Sequence, residues 1–214
     1  MVRRFRKRIG SLTPLKKFVY LISPSKINKN FYSSLDSVLS YGNVKFFQLR
    51  LKNINKKNLL KIAGKIRKIT FKYKVNFIIN DEYILVAKYK ADGCHMGQLD
   101  GSIKIAKKKI QDKILGITCH NSKILATNAF EDGATYVAFG SFFKSRLKPN
   151  AIKANLDILK WAKKKFKKPI VAIGGINNLN YKKLIKSGAK YIAISSFIWD
   201  NQKLKPEFAI RKFK

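Results

Sequence analysis

Short apolar runs recur about every 20–30 residues along this chain, and that rhythm limits the fold more than any other feature. Eight runs read as strands, at 18–22, 46–50, 76–80, 93–96, 114–118, 136–140, 169–173 and 191–195. Most are rich in Ile, Val, Phe and Tyr, the residues that suit a buried pleated surface. Between them lie stretches with helical spacing. In 55–73 the apolar stripe is Leu59, Leu60, Ile62, Ala63, Ile66 and Ile69. In 121–132 it is Ile124, Leu125, Ala126 and Ala129. In 156–166, Leu156, Ile158, Leu159, Trp161 and Ala162 alternate with lysines, and in 180–187 Tyr181, Leu184 and Ile185 face inward. Strands that alternate with helices pair in parallel. Eight such units in 214 residues predict an α/β fold, a closed (β/α)8 TIM barrel. An open doubly wound sheet is the runner-up, because strand count alone does not prove closure. The links are short, so one barrel domain is expected over 17–214, behind a basic tail over 1–16.

The charge needs an explanation. Lys and Arg number 47 against 11 Asp and Glu, a net +36, and the first thought is nucleic acid. A nucleic-acid module concentrates its charge, whereas here it is spread along the chain. Apart from the Arg3–Arg8 cluster in the tail, the runs at Lys107–Lys109, Lys163–Lys165 and Lys167–Lys168 read as solvated helix surface. A hydrophobic share of 46% excludes a disordered polycation. Two cysteines exclude a disulfide framework and suit a reducing, cytoplasmic setting. No apolar run reaches the roughly 18 residues of a membrane span. The tail is too short, and lacks the apolar stretch, for a secretory signal; a transit peptide is the lesser alternative.

A closed barrel puts chemistry where strands end and loops begin, on the C-terminal face. The polar residues fall there. Gln48, Arg50 and Lys52 end strand two, and Asn80 and Asp81 end strand three. His95, Gln98 and then Asp100 follow strand four, and Thr118 and His120 end strand five. Gly140, Ser145, Arg146 and Lys148 follow strand six, Gly174 and Gly175 strand seven, and Ser195 and Ser196 strand eight. Polar groups at buried strand ends are costly unless they are used.

Arg50 and Lys52 alternate by two and so share one strand face, an arrangement that suits a diphosphate between them. Two surface charges is the plain alternative. Asp81 and Asp100 are scarce acids in adjacent barrel units, and with Asn80 they suit an octahedral Mg2+ that also takes diphosphate oxygens. A helix cap and a turn residue are the plain alternatives. Gly174-Gly175 and Ser195-Ser196 match the barrel device in which backbone N–H groups hold a phosphate. The pairs Cys94-His95 and Cys119-His120 outline a split zinc site, but neighbours on a strand point to opposite faces. One buried thiol and one site-facing histidine is the simpler expectation.

Taken together, these stretches resemble the thiamine phosphate synthase family from Tyr20 to about Ile198. Gln48-Leu49-Arg50-Leu51-Lys52 resembles its Q-x-R-x-K strand, and Ile79-Asn80-Asp81 its I-N-D. The run 91–100, Ala-Asp-Gly-Cys-His-Met-Gly-Gln-Leu-Asp, resembles A-D-G-x-H-x-G-Q-x-D, the most specific match. Gly116–His120 resembles G-x-S-x-H, with Thr118 where the family usually has Ser, and Ala172–Ile176 resembles its second phosphate motif. The resemblance implies the coupling of hydroxymethylpyrimidine diphosphate to thiazole phosphate, with release of diphosphate. It implies that Arg50, Lys52, Asn80 and Lys148 hold the diphosphate and that Asp81 and Asp100 hold Mg2+. Gln48 and His95 would seat the pyrimidine, and Gly175 and Ser196 would bind the thiazole phosphate. The partners so implied are small molecules, with no membrane.

The departure lies after strand six, where the family reads roughly P-T-x-T-K and this chain reads Lys144-Ser145-Arg146-Leu147-Lys148. Ser145 replaces the first hydroxyl, but Leu147 does not replace the second. Losing one hydrogen bond to a charged group costs roughly 1.5–3 kcal/mol, about ten- to a hundredfold in rate. Two other readings stand beside the synthase. One is a thiazole tautomerase-like isomerase without a diphosphate site, and the other is a basic nucleic-acid-binding barrel. Retention of Arg50, Lys52, Asn80, Asp81 and Asp100 together argues against the isomerase.

Overall fold

Strand side chains alternate between two faces, so each strand must satisfy two apolar environments at once. The computed structural model describes residues 15–144 and 153–214. Its strands are β1 (Val19–Ile22), β2 (Val44–Leu49), β3 (Asn76–Asn80), β4 (Gly93–Met96), β5 (Ile114–His120), β6 (Tyr136–Phe139), β7 (Ile170–Ile173) and β8 (Tyr191–Ile194). All are parallel, each pairs with the next, and β8 pairs with β1. The sheet is therefore a closed barrel, which removes the open doubly wound alternative. Residues 1–14 of the expected basic tail, and the strand-six loop residues Ser145, Arg146, Leu147 and Lys148, lie outside the described residues.

The helices are α1 (Phe31–Ser40), α2 (Lys56–Lys72), α3 (Ile103–Ile110), α4 (Lys123–Glu131), α5 (Leu156–Lys165), α6 (Tyr181–Ser187), α7 (Ser196–Trp199) and α8 (Pro206–Ala209). Between β3 and β4 the connection has only a 3-10 turn, Tyr83–Leu85. Four helices begin with a side-chain cap: Asn55 on α2, Ser102 on α3, Ser122 on α4 and Asn155 on α5. Two residues assigned to apolar stripes point to solvent instead: Ile124 is 73% exposed and Leu60 36%. On α4 the inward positions are Ala126, Ala129 and Phe130, one step round from the expected stripe. Lys167 and Lys168 are exposed but follow α5 in a loop, and Lys168 also makes specific contacts. Its Nζ donates to the carbonyls of Phe130 and Ala134 at the end of α4.

Two cores result. Val19, Leu21, Phe47, Phe77, Leu115, Val137 and Ile192 face the helices. Inside the barrel stand Tyr20, Ile22, Phe46, Ile78, Tyr136, Val171 and Tyr191. The large rings in this narrow space need partners without side chains. A Cβ on Gly116 would collide with the Tyr136 ring, and one on Gly93 with the carbonyl of Ile114. The inward parity that packs these rings also decides which polar residues reach the mouth. Register pairs Gln48 with Ile78, Asn80 with His95, and His95 with Gly116.

Candidate active site

Gln48, Asn80, His95 and Thr118 occupy consecutive strands at the C-terminal end of the barrel. Gln48 Nε2 donates to Asn80 Oδ1 at 3.2 Å. His95 Nε2 lies 2.8 Å from Thr118 Oγ1, and His95 Nδ1 lies 2.9 Å from Tyr136 Oη. Gln48 and His95 are buried, at 2% and 9% exposure, so they are held rigidly by the strands that carry them. Gln98 lies in the turn after β4, and its Nε2 donates to the Thr118 carbonyl.

Asp81 follows β3 in a left-handed backbone conformation (φ 64°), which a non-glycine residue adopts only when its surroundings hold it there. Its N–H donates to the His95 carbonyl at 2.8 Å, and its carboxylate accepts from Asn80 Nδ2. Burial, then the Asp100 carboxylate beside it, push Asp81 up to about 6, against the opposing pull of Arg50 and Lys52. One acid and two bases, from the loops after β4 and β2, thus act on the Asp81 carboxylate. Asp81 caps no α-helix. Asp100 does close a turn, accepting from Gly97 N–H at 2.6 Å, while its charge faces Asp81.

Arg50 and Lys52 are not on a strand, as their spacing suggested. β2 ends at Leu49 because the Arg50 N–H leaves the ladder and donates to Ser23 Oγ at 3.0 Å. Both cations nevertheless act on Asp81. Ser23 is a residue that the sequence reading passed over. It is 3% exposed, and its N–H donates to the Gln48 carbonyl. Its own carbonyl accepts from Ser195 Oγ at 3.1 Å. Ser195 is therefore tied to β1 through its side chain, and Ser196 opens α7. Gly174 and Gly175 have φ of 104° and 60°, and a Cβ on Gly175 would collide with the Lys144 carbonyl. The only outward signal for Ser23 was its place immediately after a strand.

Tyr136 and Tyr20 were also missed, since tyrosines inside a strand read as packing. Their hydroxyls lie 2.8 Å apart beneath His95. Among the described residues, the pairs Cys94-His95 and Cys119-His120 do not gather into the split zinc site that they outline. Cys94 and Cys119 are buried, and His120 is exposed at φ 51°. Among the described residues no three His, Cys, Asp or Glu side chains gather as metal ligands. Burial raises both thiols, Cys119 to about 12, which removes them as nucleophiles at neutral pH.

The 91–100 motif divides between the two ends of β4. Asp92 lies at the bottom, where Oδ2 accepts from Arg67 Nη1 at 2.8 Å and from Phe77 N–H at 2.7 Å. His95, Gln98 and Asp100 lie at the mouth.

Comparison with known proteins agrees with this arrangement. A family profile described as thiamine monophosphate synthase matches residues 19–198. The thiamine-phosphate synthase of Pelagibacter ubique (strain HTCC1062) is 52% identical over 200 residues, covering 93% of this chain and 97% of the relative. That of Erythrobacter litoralis (strain HTCC2594) is 39% identical over 192 residues, covering 87% and 90%. Among solved structures, a thiamine phosphate pyrophosphorylase from Pyrococcus furiosus superposes with a TM-score of 0.80 at 28% identity, covering 93% of each chain. These relatives give no support to the isomerase or nucleic-acid readings. Among the described residues no helix is long and apolar enough to cross a membrane.

Proposed function

The chain belongs to the thiamine monophosphate synthase family and is a transferase that couples hydroxymethylpyrimidine diphosphate with thiazole phosphate, and we propose that the mouth residues carry the reaction by a dissociative substitution. The observation that supports this most is the meeting of Asp81, Asp100, Arg50 and Lys52 at one end of the barrel. In a dissociative step the C–O bond at the pyrimidine methylene breaks ahead of attack. The diphosphate leaves with the electron pair and a delocalised cation remains on the pyrimidine. The thiazole nitrogen then donates its lone pair to that methylene. Catalysis is therefore the collection of negative charge, and no covalent nucleophile is needed.

Arg50, Lys52 and Asn80 would bind the departing diphosphate, with Lys148 and Ser145 from the strand-six loop. Gln48, His95 and Thr118 would seat the pyrimidine ring. Gly175 and Ser196 would offer backbone N–H groups to the thiazole phosphate, with Ser195 fixing their loop. Asp81 and Asp100 fit a Mg2+ ion, being paired hard oxygen donors whose mutual repulsion a divalent cation relieves. Magnesium is usually held by one or two carboxylates plus substrate phosphates. When bound, it would supply Lewis-acid stabilisation of the leaving diphosphate. Small phosphorylated substrates and a cytoplasmic setting suit this chemistry.

The test is direct. The protein is incubated with both substrates and Mg2+, and thiamine phosphate and diphosphate are assayed. Stoichiometric appearance of both is expected, and absence of product from correctly folded protein would sink the reading.

A further inference from the structure

Below the mouth, two buried tyrosines with no part in the coupling step join a chain of polar groups that leads up to His95 and Thr118. Tyr20 Oη lies 2.8 Å from Tyr136 Oη, which lies 2.9 Å from His95 Nδ1. His95 Nε2 lies 2.8 Å from Thr118 Oγ1, and the His95 ring stacks on Tyr136 with centroids 5.6 Å apart at 18°. Tyr20 and Tyr136 are 2% and 1% exposed, and burial raises both phenols far above their ordinary pKa, so each keeps its proton.

Counting donors settles the polarity of the chain. Each phenol has one proton to give. The hydrogen-bond partner of the Tyr20 hydroxyl is Tyr136, so its proton goes there; any other direction strands a buried donor. Tyr136 then donates to His95 Nδ1. A neutral imidazole that accepts at Nδ1 carries its hydrogen on Nε2, and it donates that hydrogen to Thr118 Oγ1. The Thr118 proton is left to point toward the mouth. The reverse polarity, with Thr118 donating down to His95, ends by leaving the Tyr20 proton without an acceptor.

We propose that Tyr136, backed by Tyr20, is a positioning residue that locks His95 as the Nε2–H tautomer and so presents the Thr118 hydroxyl as a hydrogen-bond donor to an acceptor atom of the pyrimidine substrate. The inference rests on the synthase reading and adds which substrate this end of the site discriminates. It also accounts for Gly116 on β5, where a Cβ would collide with the Tyr136 ring.

The chain contains two histidines and the other, His120, is exposed, so nitrogen-15 NMR of histidine-labelled protein resolves both. In wild type, His95 is expected neutral with its proton on Nε2. Tyr136→Phe removes the donor to Nδ1, so the Nδ1–H form should gain population. The KM for the pyrimidine diphosphate should rise about fivefold, with that for thiazole phosphate unchanged. Tyr20→Phe keeps the Tyr136 hydroxyl but frees its direction, and should shift the tautomer the same way by less. An Nδ1–H histidine in wild type overturns the proposal, as does an unmoved tautomer in Tyr136→Phe or an equal loss toward both substrates. Wild type that forms no thiamine phosphate overturns the synthase reading instead, and leaves the tautomer measurement interpretable.

Discussion

Asp92 and Asp100 stand beyond the two ends of β4, eight residues apart in one motif, and their surroundings are opposite. Asp92 is matched within the fold, by the Arg67 guanidinium and by the Phe77 N–H. Asp100 faces another carboxylate. The lower acid joins α2 to two strands, and its charge is answered by protein. The upper acid is answered only in part, by the Gly97 N–H, while the cations after β2 act on its neighbour Asp81. An acid satisfied by its own fold serves stability, whereas acids pressed together repel unless a proton or a cation relieves them. That contrast separates two aspartates which a motif writes with the same letter.

The comparison can be broken by exchanging the outcomes. Asp100→Ala should cut turnover at least a hundredfold while leaving the far-ultraviolet circular dichroism unchanged. Normal activity in that variant would show that the upper acid is not used. Asp92→Ala should do the reverse. Leaving the Phe77 N–H and Arg67 without their partner costs about 2 kcal/mol, a fall in Tm of roughly 4–8 °C, with turnover per folded molecule kept. A thermal melt and an active-site-normalised assay distinguish the two.

A smaller effect concerns Asp81. Its folded-state pKa of about 6 lies above the ordinary value near 3.8, so folded protein holds a proton that unfolded protein has lost. Stability therefore falls as pH rises from about 4 to about 6, and the penalty is complete above that. In chelator at pH 8, Asp81→Asn should melt higher than wild type, and the advantage should vanish below pH 4. Adding Mg2+ should raise the wild-type Tm and leave that of Asp81→Asn nearly unchanged. The smallest expected effect is at Leu147: Leu147→Thr should lower the KM for the diphosphate substrate or raise turnover. No change would mean that another group, such as Arg146, has replaced the lost hydroxyl.

The barrel was legible because each strand is a short apolar run, and β3 and β4 match their expected limits residue for residue. α1 was not singled out. Four serines interrupt its sequence, although Phe31, Leu35, Val38 and Leu39 bury one helical face. Leu60 and Ile124 were misplaced because apolar identity does not distinguish an inward from an outward position at a helix margin. In the candidate site, residues with rare chemistry were visible: the acids, the histidine and the paired glycines. Ser23 was invisible, because its importance lies in which backbone groups it joins. The tyrosines below His95 were invisible because packing and polarity use the same side chain there.

Ser23 has a consequence for how such a chain becomes active during synthesis. It directly follows the first strand and engages Arg50, yet its carbonyl waits for Ser195, 172 residues later. The same seam closes the barrel, through β1 and β8. A growing chain that has reached α3 already contains Gln48, Arg50, Asn80, Asp81, His95 and Asp100. It lacks the last strand that ties their loops to the opposite rim. Contacts of such long sequence separation form late. The half proposed to read the diphosphate and the half that opens α7 are thus joined in one closing event, and a truncated translation product is expected to carry none of the activity.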